Sequence, residues 1–157
     1  MSKTQILKLV ASLALPLGLG TLAGLFTADA IPGWYETLTR PTFNPPNWVF
    51  GPVWTLLYLM MGFSFYLIWT QRPSKARNHA ILAFLVQMAL NFGWSLIFFY
   101  HNLIGLALVE IIVLWISIAA MILLFLRIKP FAAYLNIPYL LWVTFATILN
   151  AGYYLLN

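Results

Sequence analysis

The stretch IGLALVEIIVLWISIAAMILLFL, Ile104–Leu126, carries one charge, Glu110, and places apolar side chains on every face of a helix. A helix of that kind has no side to offer to water. About 20 such residues rise roughly 30 Å, the thickness of a bilayer's hydrocarbon core. Outward from it lie four further apolar runs, Ile6–Phe26, Trp48–Trp69, Ala80–Tyr100 and Ala133–Leu156. A transmembrane barrel needs short segments of alternating polarity. These runs are apolar all round, and in lipid a helix satisfies its own backbone. The chain is 63 % hydrophobic and 7 % charged, against about 25 % charge in soluble domains, so it cannot cover itself with polar groups. The expectation is an all-α integral membrane bundle of five transmembrane helices, forming a single domain over residues 1–157.

The connectors sort the charges. Lys3, Lys8, Arg72, Lys75, Arg77, Arg127 and Lys129 fall on one side of that topology, and Arg40 is the lone basic residue on the other. The positive-inside bias predicts a multi-pass protein of the cell's inner (plasma) membrane, with a cytoplasmic N-terminus and an external C-terminus. Lys8 can snorkel to the interface. The basic residues form no stripe, so no nucleic-acid partner is expected. The first run has a rival reading as a signal peptide cleaved after Ala30. It is longer than the usual h-region and contains Pro16, Gly18, Gly20 and Gly24, which favours a helix that stays.

Most connectors are short. The exception, about Thr27 to Asn47, holds Pro32, Pro41, Pro45, Pro46, Trp34, Tyr35 and Phe43. Disordered segments are polar and poor in aromatics, so this long loop is expected to be an ordered cap over the external end of the bundle. Pro16, Pro52 and Pro138 are expected inside helices, freeing the carbonyls of Ser12, Trp48 and Tyr134; the plain reading is three ordinary membrane kinks, and the sharper one is that Pro52 and Pro138 splay two helices at the external end to open a pocket.

Polar groups inside the runs are costly in hydrocarbon and therefore informative. Gln87, Asn91 and Ser95 share one face of the third helix; Trp142, Ala146 and Asn150 share one face of the fifth; Trp54 and Tyr58 are one turn apart in the second. Interhelical hydrogen bonding explains any one of them. Together, with aromatic neighbours, they point to a cavity for a large, flat, apolar ligand. Glu110 is read as a hydrogen-bonded carboxyl lining the bundle. His79 and His101 bracket the third helix, roughly 33 Å apart, and cannot share one haem iron within a chain. The chain has no cysteine, and its acids are Asp29, Glu36 and Glu110. No thiolate, catalytic triad, phosphate loop or metal cluster can be assembled, and no cofactor is required. Gly20-xxx-Gly24 and Ala89-xxx-Gly93 are small-residue patterns for close helix approach, the second suggesting a homodimer through the third helix.

The run Trp34-Tyr35-x-x-Leu38-x-Arg40-Pro41-x-Phe43-x-Pro45-Pro46-x-Trp48, continued by Phe50-x-Pro52-Val53-Trp54-Thr55-x-x-Tyr58, resembles the signature of the translocator protein family (TspO/MBR, the peripheral benzodiazepine receptor family). Gln87-x-x-x-Asn91-x-x-Trp94-Ser95 with Phe98-Phe99, and Pro138-Tyr139-x-x-Trp142-x-x-Phe145-Ala146-Thr147-x-Leu149-Asn150, agree with it in order. The resemblance, to a bacterial-type member, implies a membrane receptor, commonly dimeric. Its pocket under the first loop would take tetrapyrroles (protoporphyrin IX, haem-like) and benzodiazepine-type drugs, with a role in porphyrin transport or stress regulation. Matched residue by residue, the ligand-binding positions are Tyr35, Phe50, Trp54, Gln87, Asn91, Trp142, Ala146 and Leu149. Trp54 and Trp142 match tryptophans associated with light-dependent porphyrin breakdown, the alternative function. Transport of small apolar ligands is a third. Two departures stand out: no basic residue follows Tyr153, as the sterol motif of animal members requires, and Leu106 replaces a tryptophan of those members.

Overall fold

The computed structural model describes residues 2–157 and, among them, every side chain but that of Asp29. Six helices follow one another: α1 (Lys3–Ala30), α2 (Phe50–Trp69), α3 (Lys75–Ser95), α4 (Ile104–Leu126), α5 (Pro130–Tyr134) and α6 (Ile137–Leu156). A wider π-type turn, Leu96–Tyr100, extends α3, Ile31–Tyr35 continues α1 across a kink at Gly33, and a 3₁₀ turn, Asn47–Val49, leads into α2. Five segments are long and apolar enough to cross a membrane: Lys3–Ala28, Asn47–Trp69, Lys75–Tyr100, Ile104–Leu126 and Pro130–Leu156. The fold is the all-α five-span bundle that the apolar runs imply. Large side chains such as Leu22, Leu85, Val109, Ile116 and Leu141 stand exposed on its outside, where lipid is their natural solvent.

Local signals set the helix ends. Ser2 caps α1, accepting from the Gln5 backbone N–H at 3.2 Å while the Gln5 side chain accepts from the Ser2 N–H at 2.8 Å, a reciprocal capping box. Ser74 caps α3 by accepting from the Arg77 N–H. At the α3–α4 corner Asn102 adopts φ 59°, a left-handed conformation that asparagine tolerates.

The prolines behave differently from the expectation. Of the three, Pro16 alone lies in the interior of a helix. Pro52 sits in the first turn of α2 and Pro138 in the first turn of α6, where the missing N–H costs no intrahelical bond. Pro138 also belongs to the opposite end of the bundle from Pro52, so the two cannot splay one end together. The fifth span is instead broken between α5 and α6. Fully buried Asn136 donates there to Ser64 Oγ at 2.6 Å and to the Ala132 carbonyl at 2.9 Å.

The carbonyl that Pro16 frees, that of Ser12, faces α2. A Cβ on Gly62 would lie 2.7 Å from it and 2.9 Å from Leu13 Cα. Glycine alone lets α1 and α2 approach so closely, and its Cα hydrogen can face the carbonyl as a weak donor. Two turns further along α1, Gly20 receives the ring of Tyr58. Gly24, one turn on, has nothing within 4 Å of where a Cβ would stand. Of the Gly20-xxx-Gly24 pair, only Gly20 is a contact.

One large buried cluster fills the end where the basic residues lie: Met61, Phe65 and Ile68 of α2, Ala80, Phe84 and Met88 of α3, Met121 and Phe125 of α4, and Ala132 and Ala133 of α5. A smaller cluster, Tyr35, Phe98, Ala107, Leu149 and Tyr153, closes the end under the first loop. They mark the basic end and the loop end of the bundle. Lys8 Nζ stands 5.5 Å from the centre of the Trp69 ring at the basic end, its stem along the helix and its charge toward the interface.

Candidate functional site

Between the two clusters lies a cavity of about 390 Å³, within the range of small-molecule sites. Its floor is a hydrogen-bonded spine. Tyr58 donates to Asn91 Oδ1 at 2.9 Å, and Asn91 Nδ2 donates to the Tyr139 hydroxyl at 3.0 Å. The Tyr139 hydroxyl in turn donates to Gln87 Oε1 at 3.0 Å. Three helices are thereby joined through groups that would be costly to leave unpaired in an apolar interior. The i, i+4 spacing of Gln87 and Asn91 places both on the buried face of α3.

The walls are aromatic. Trp54 stacks on Tyr58 with ring centres 5.3 Å apart, and Phe50 meets Trp142 edge to face at 6.0 Å. Trp94 stacks on Phe98 at 5.2 Å and donates its indole N–H to Asn150 Oδ1 at 3.0 Å. The Asn150 amide donates onward to the Ile104 carbonyl, which fixes the start of α4 against α6.

The roof comes from the first loop. Buried Tyr35 accepts from the Tyr153 hydroxyl at 2.7 Å and donates to Asn44 Oδ1 at 3.2 Å. Burial pushes the Tyr35 phenol up from its ordinary value, against smaller lowering effects from Tyr153, Arg40 and Asn44. Asn157 holds the Thr39 backbone at both its N–H (2.9 Å) and its C=O (3.1 Å). Gly152 leaves room for Pro41, whose Cγ would lie 2.8 Å from a Cβ there. The long loop is therefore ordered, docked on the last turns of α6, and shorter than expected because helical turns continue to Tyr35.

Of the eight positions matched to ligand binding, Tyr35, Phe50, Trp54, Asn91, Trp142, Ala146 and Leu149 line the cavity. Gln87 does not. It is fully buried behind the floor, orienting Tyr139 rather than facing the space. Ser95 and Asn150 also line the wall. Glu110 lies outside it, packed against α3 with Oε1 3.9 Å from where a Cβ on Gly93 would stand. Neither of its oxygens has a hydrogen-bond partner, which corrects the reading of Glu110 as hydrogen-bonded. Gly93 thus meets α4 of its own chain. Sequence reasoning missed the roles of Asn44 and Tyr153, which act across more than 100 residues of chain. It named Phe98 only within the family signature and gave its buried ring no role at the site. Among the described residues no acidic or basic side chain lines the cavity, and no group of three or more His, Asp or Glu could hold a metal ion.

Fold and site together define a multi-pass membrane protein with an aromatic cavity beneath a docked loop. The sequence profile of the TspO/MBR family matches residues 12–155. The chain is 40 % identical over 153 residues to the Tryptophan-rich protein TspO of Archaeoglobus fulgidus, covering 98 % of this chain and 99 % of that one. It is 40 % identical to the protein of the same name from Chlorobaculum tepidum, covering 93 % of each chain. It is 39 % identical over 119 residues to the human Translocator protein, covering 74 % of this chain and 70 % of the human one. The chain belongs to the TspO/MBR family.

Proposed function

We infer that the protein is a membrane receptor for tetrapyrroles such as protoporphyrin IX and for related flat apolar ligands, held in the cavity under the first loop. The observation that carries this reading is the wall itself. Trp54, Phe50, Trp142, Trp94 and Phe98 surround one space, while the polar atoms of Asn91 and Asn150 are spent on protein partners. Such a wall selects by shape and by aromatic contact rather than by hydrogen bonding. Family membership supports a porphyrin-related binding role, with the protein oriented so that the loop end faces outside. A homodimer would use the exposed stripe Leu82, Leu85, Val86 and Ala89 of α3.

A second reading is favoured by the position of Trp54 and Trp142 on the wall. A bound, photo-excited porphyrin would find two oxidisable indoles at contact distance. Breakdown would then draw on the ligand's own photochemistry, with the indoles as electron donors and dissolved dioxygen as the oxidant, since no acidic or basic side chain among the described residues lines the cavity.

The test mixes purified protein with protoporphyrin IX, first in the dark and then under illumination. Binding quenches tryptophan fluorescence at micromolar porphyrin; absence of quenching overturns the receptor reading. Illumination that bleaches the porphyrin bands in the wild type but not in Trp142→Phe supports turnover. A stable spectrum supports binding alone.

A further inference from the structure

We propose that ligands enter the cavity sideways from the bilayer, through a gap between the loop-end halves of α1 and α2. The proposal rests on the cavity being the ligand site. Among the residues that line the cavity, those also exposed on the molecular surface are Thr21, Gly24 and Ala28 of α1 and Gly51 and Thr55 of α2. Every one belongs to these two helices. All lie within the membrane-crossing segments Lys3–Ala28 and Asn47–Trp69.

Two other directions are closed. Toward water the roof is Tyr35, Phe98 and Tyr153, all buried. Toward the basic end the floor is the Tyr58–Asn91–Tyr139 spine.

The gap has a local cause. α1 and α2 touch at Ser12–Gly62 and again at Gly20–Tyr58. One turn beyond, both sides present residues without bulk, and neither Gly24 nor Gly51 has anything within 4 Å of a Cβ position. The two threonines show no free hydroxyl to lipid. Thr21 Oγ1 donates to the Leu17 carbonyl at 2.8 Å and Thr55 Oγ1 to the Gly51 carbonyl at 2.9 Å. An entrance whose polar atoms are satisfied within their own helices suits a solute that arrives from hydrocarbon. The ligand class is thereby narrowed to molecules that partition into the membrane before they bind.

The chain has no cysteine, so Ala146→Cys places a single thiol in the cavity. Reconstituted in lipid nanodiscs, that variant is treated with N-cyclohexylmaleimide, which dissolves in the bilayer. Adding Gly24→Trp should slow the modification at least about tenfold, with Gly24→Leu slowing it less. Gly18→Trp is the control, because Gly18 is exposed on the same helix with equal room and does not line the cavity. Equal rates for Gly24→Trp, Gly24→Leu and Gly18→Trp overturn the portal. In a second arm protoporphyrin IX should associate with and dissociate from the Gly24→Trp protein more slowly than the wild type. Should porphyrin fail to bind while the cavity thiol is still gated, the portal stands and the tetrapyrrole reading falls.

Discussion

At the basic end Phe65 lies flat on Phe84 with ring centres 4.3 Å apart, and Ala80, Ala132 and Ala133 let helices close on one another without exposed surface. At the loop end the same spans carry Trp54, Trp94, Phe98 and Trp142, and a cavity remains between them. Small residues bring backbones together, whereas large rings that meet edge to face across helices, as Phe50 and Trp142 do, hold them apart. The difference teaches where function can reside. A membrane bundle gains no hydrophobic driving force from closing a gap, since lipid tails are as apolar as leucine. A cavity therefore persists wherever the side chains are too rigid to fill it.

The sharpest way to break the comparison is to put the same side chain at both ends of the α1–α2 contact. Gly62→Leu drives a side chain into the Ser12 carbonyl and the Leu13 backbone. It should destabilise the bundle by about 3 kcal/mol or more. Gly24→Leu meets open space and replaces glycine by a better helix former, so it should be neutral or stabilise by up to about 1 kcal/mol. Thermal unfolding in a mild detergent reads both. Equal melting temperatures for the two variants would show that the close contact at Gly62 is not what holds α1.

A smaller effect separates packing from site. Asn91→Leu strands the Tyr58 hydroxyl of the cavity floor and removes the donor to Tyr139, which keeps its bond to Gln87, and Asn136→Leu undoes the knot with Ser64 and Ala132 at the basic end. Each should cost about 1–2 kcal/mol, but only the Asn91 change should weaken porphyrin quenching. If the Asn136 change weakened it as much, the two ends would be coupled more tightly than their separate clusters imply.

The five spans were legible because hydrocarbon imposes a length and a composition on any segment that crosses it; Ile104–Leu126 is read identically from sequence and structure. The walls were nearly as legible, since i, i+4 spacing puts Asn91 and Trp54 on inner faces before any fold is known. The depth along that face was not. Gln87 lies one turn from Asn91 and falls behind the floor, because Tyr139 from another helix occupies the space between. Proline was misread at Pro52 and Pro138 for a related reason. A proline within an apolar run looks interior until the true helix start is known, and that start depends on where the neighbouring segment packs. The roof depends on Asn44 and Tyr153 meeting Tyr35, a contact between distant stretches that no local pattern announces.

The smallest expected effect concerns that roof, which differs from the basic end in adding tyrosine hydroxyl bonds to its apolar packing. Burial raises the Tyr35 phenol above its ordinary value near 10. The neutral hydroxyl is thus favoured in the folded protein. Its contribution is complete below about pH 10, where the exposed phenol would begin to ionise, and is lost as pH climbs from there through the raised folded value. Losing the proton removes the donor to Asn44 Oδ1, so the loop should loosen from α6 in alkali while the basic end stays closed. Hydrogen exchange or limited proteolysis of residues 36–46 between pH 8 and 11 would follow this. Tyr35→Phe should cost less than about 1 kcal/mol, loosen the loop slightly at pH 8, and flatten its further response to alkali. A loop in the Tyr35→Phe protein that still opened with the wild-type pH profile would assign the transition to another group and leave the hydroxyl contacts as passengers of the Pro41–Gly152 packing.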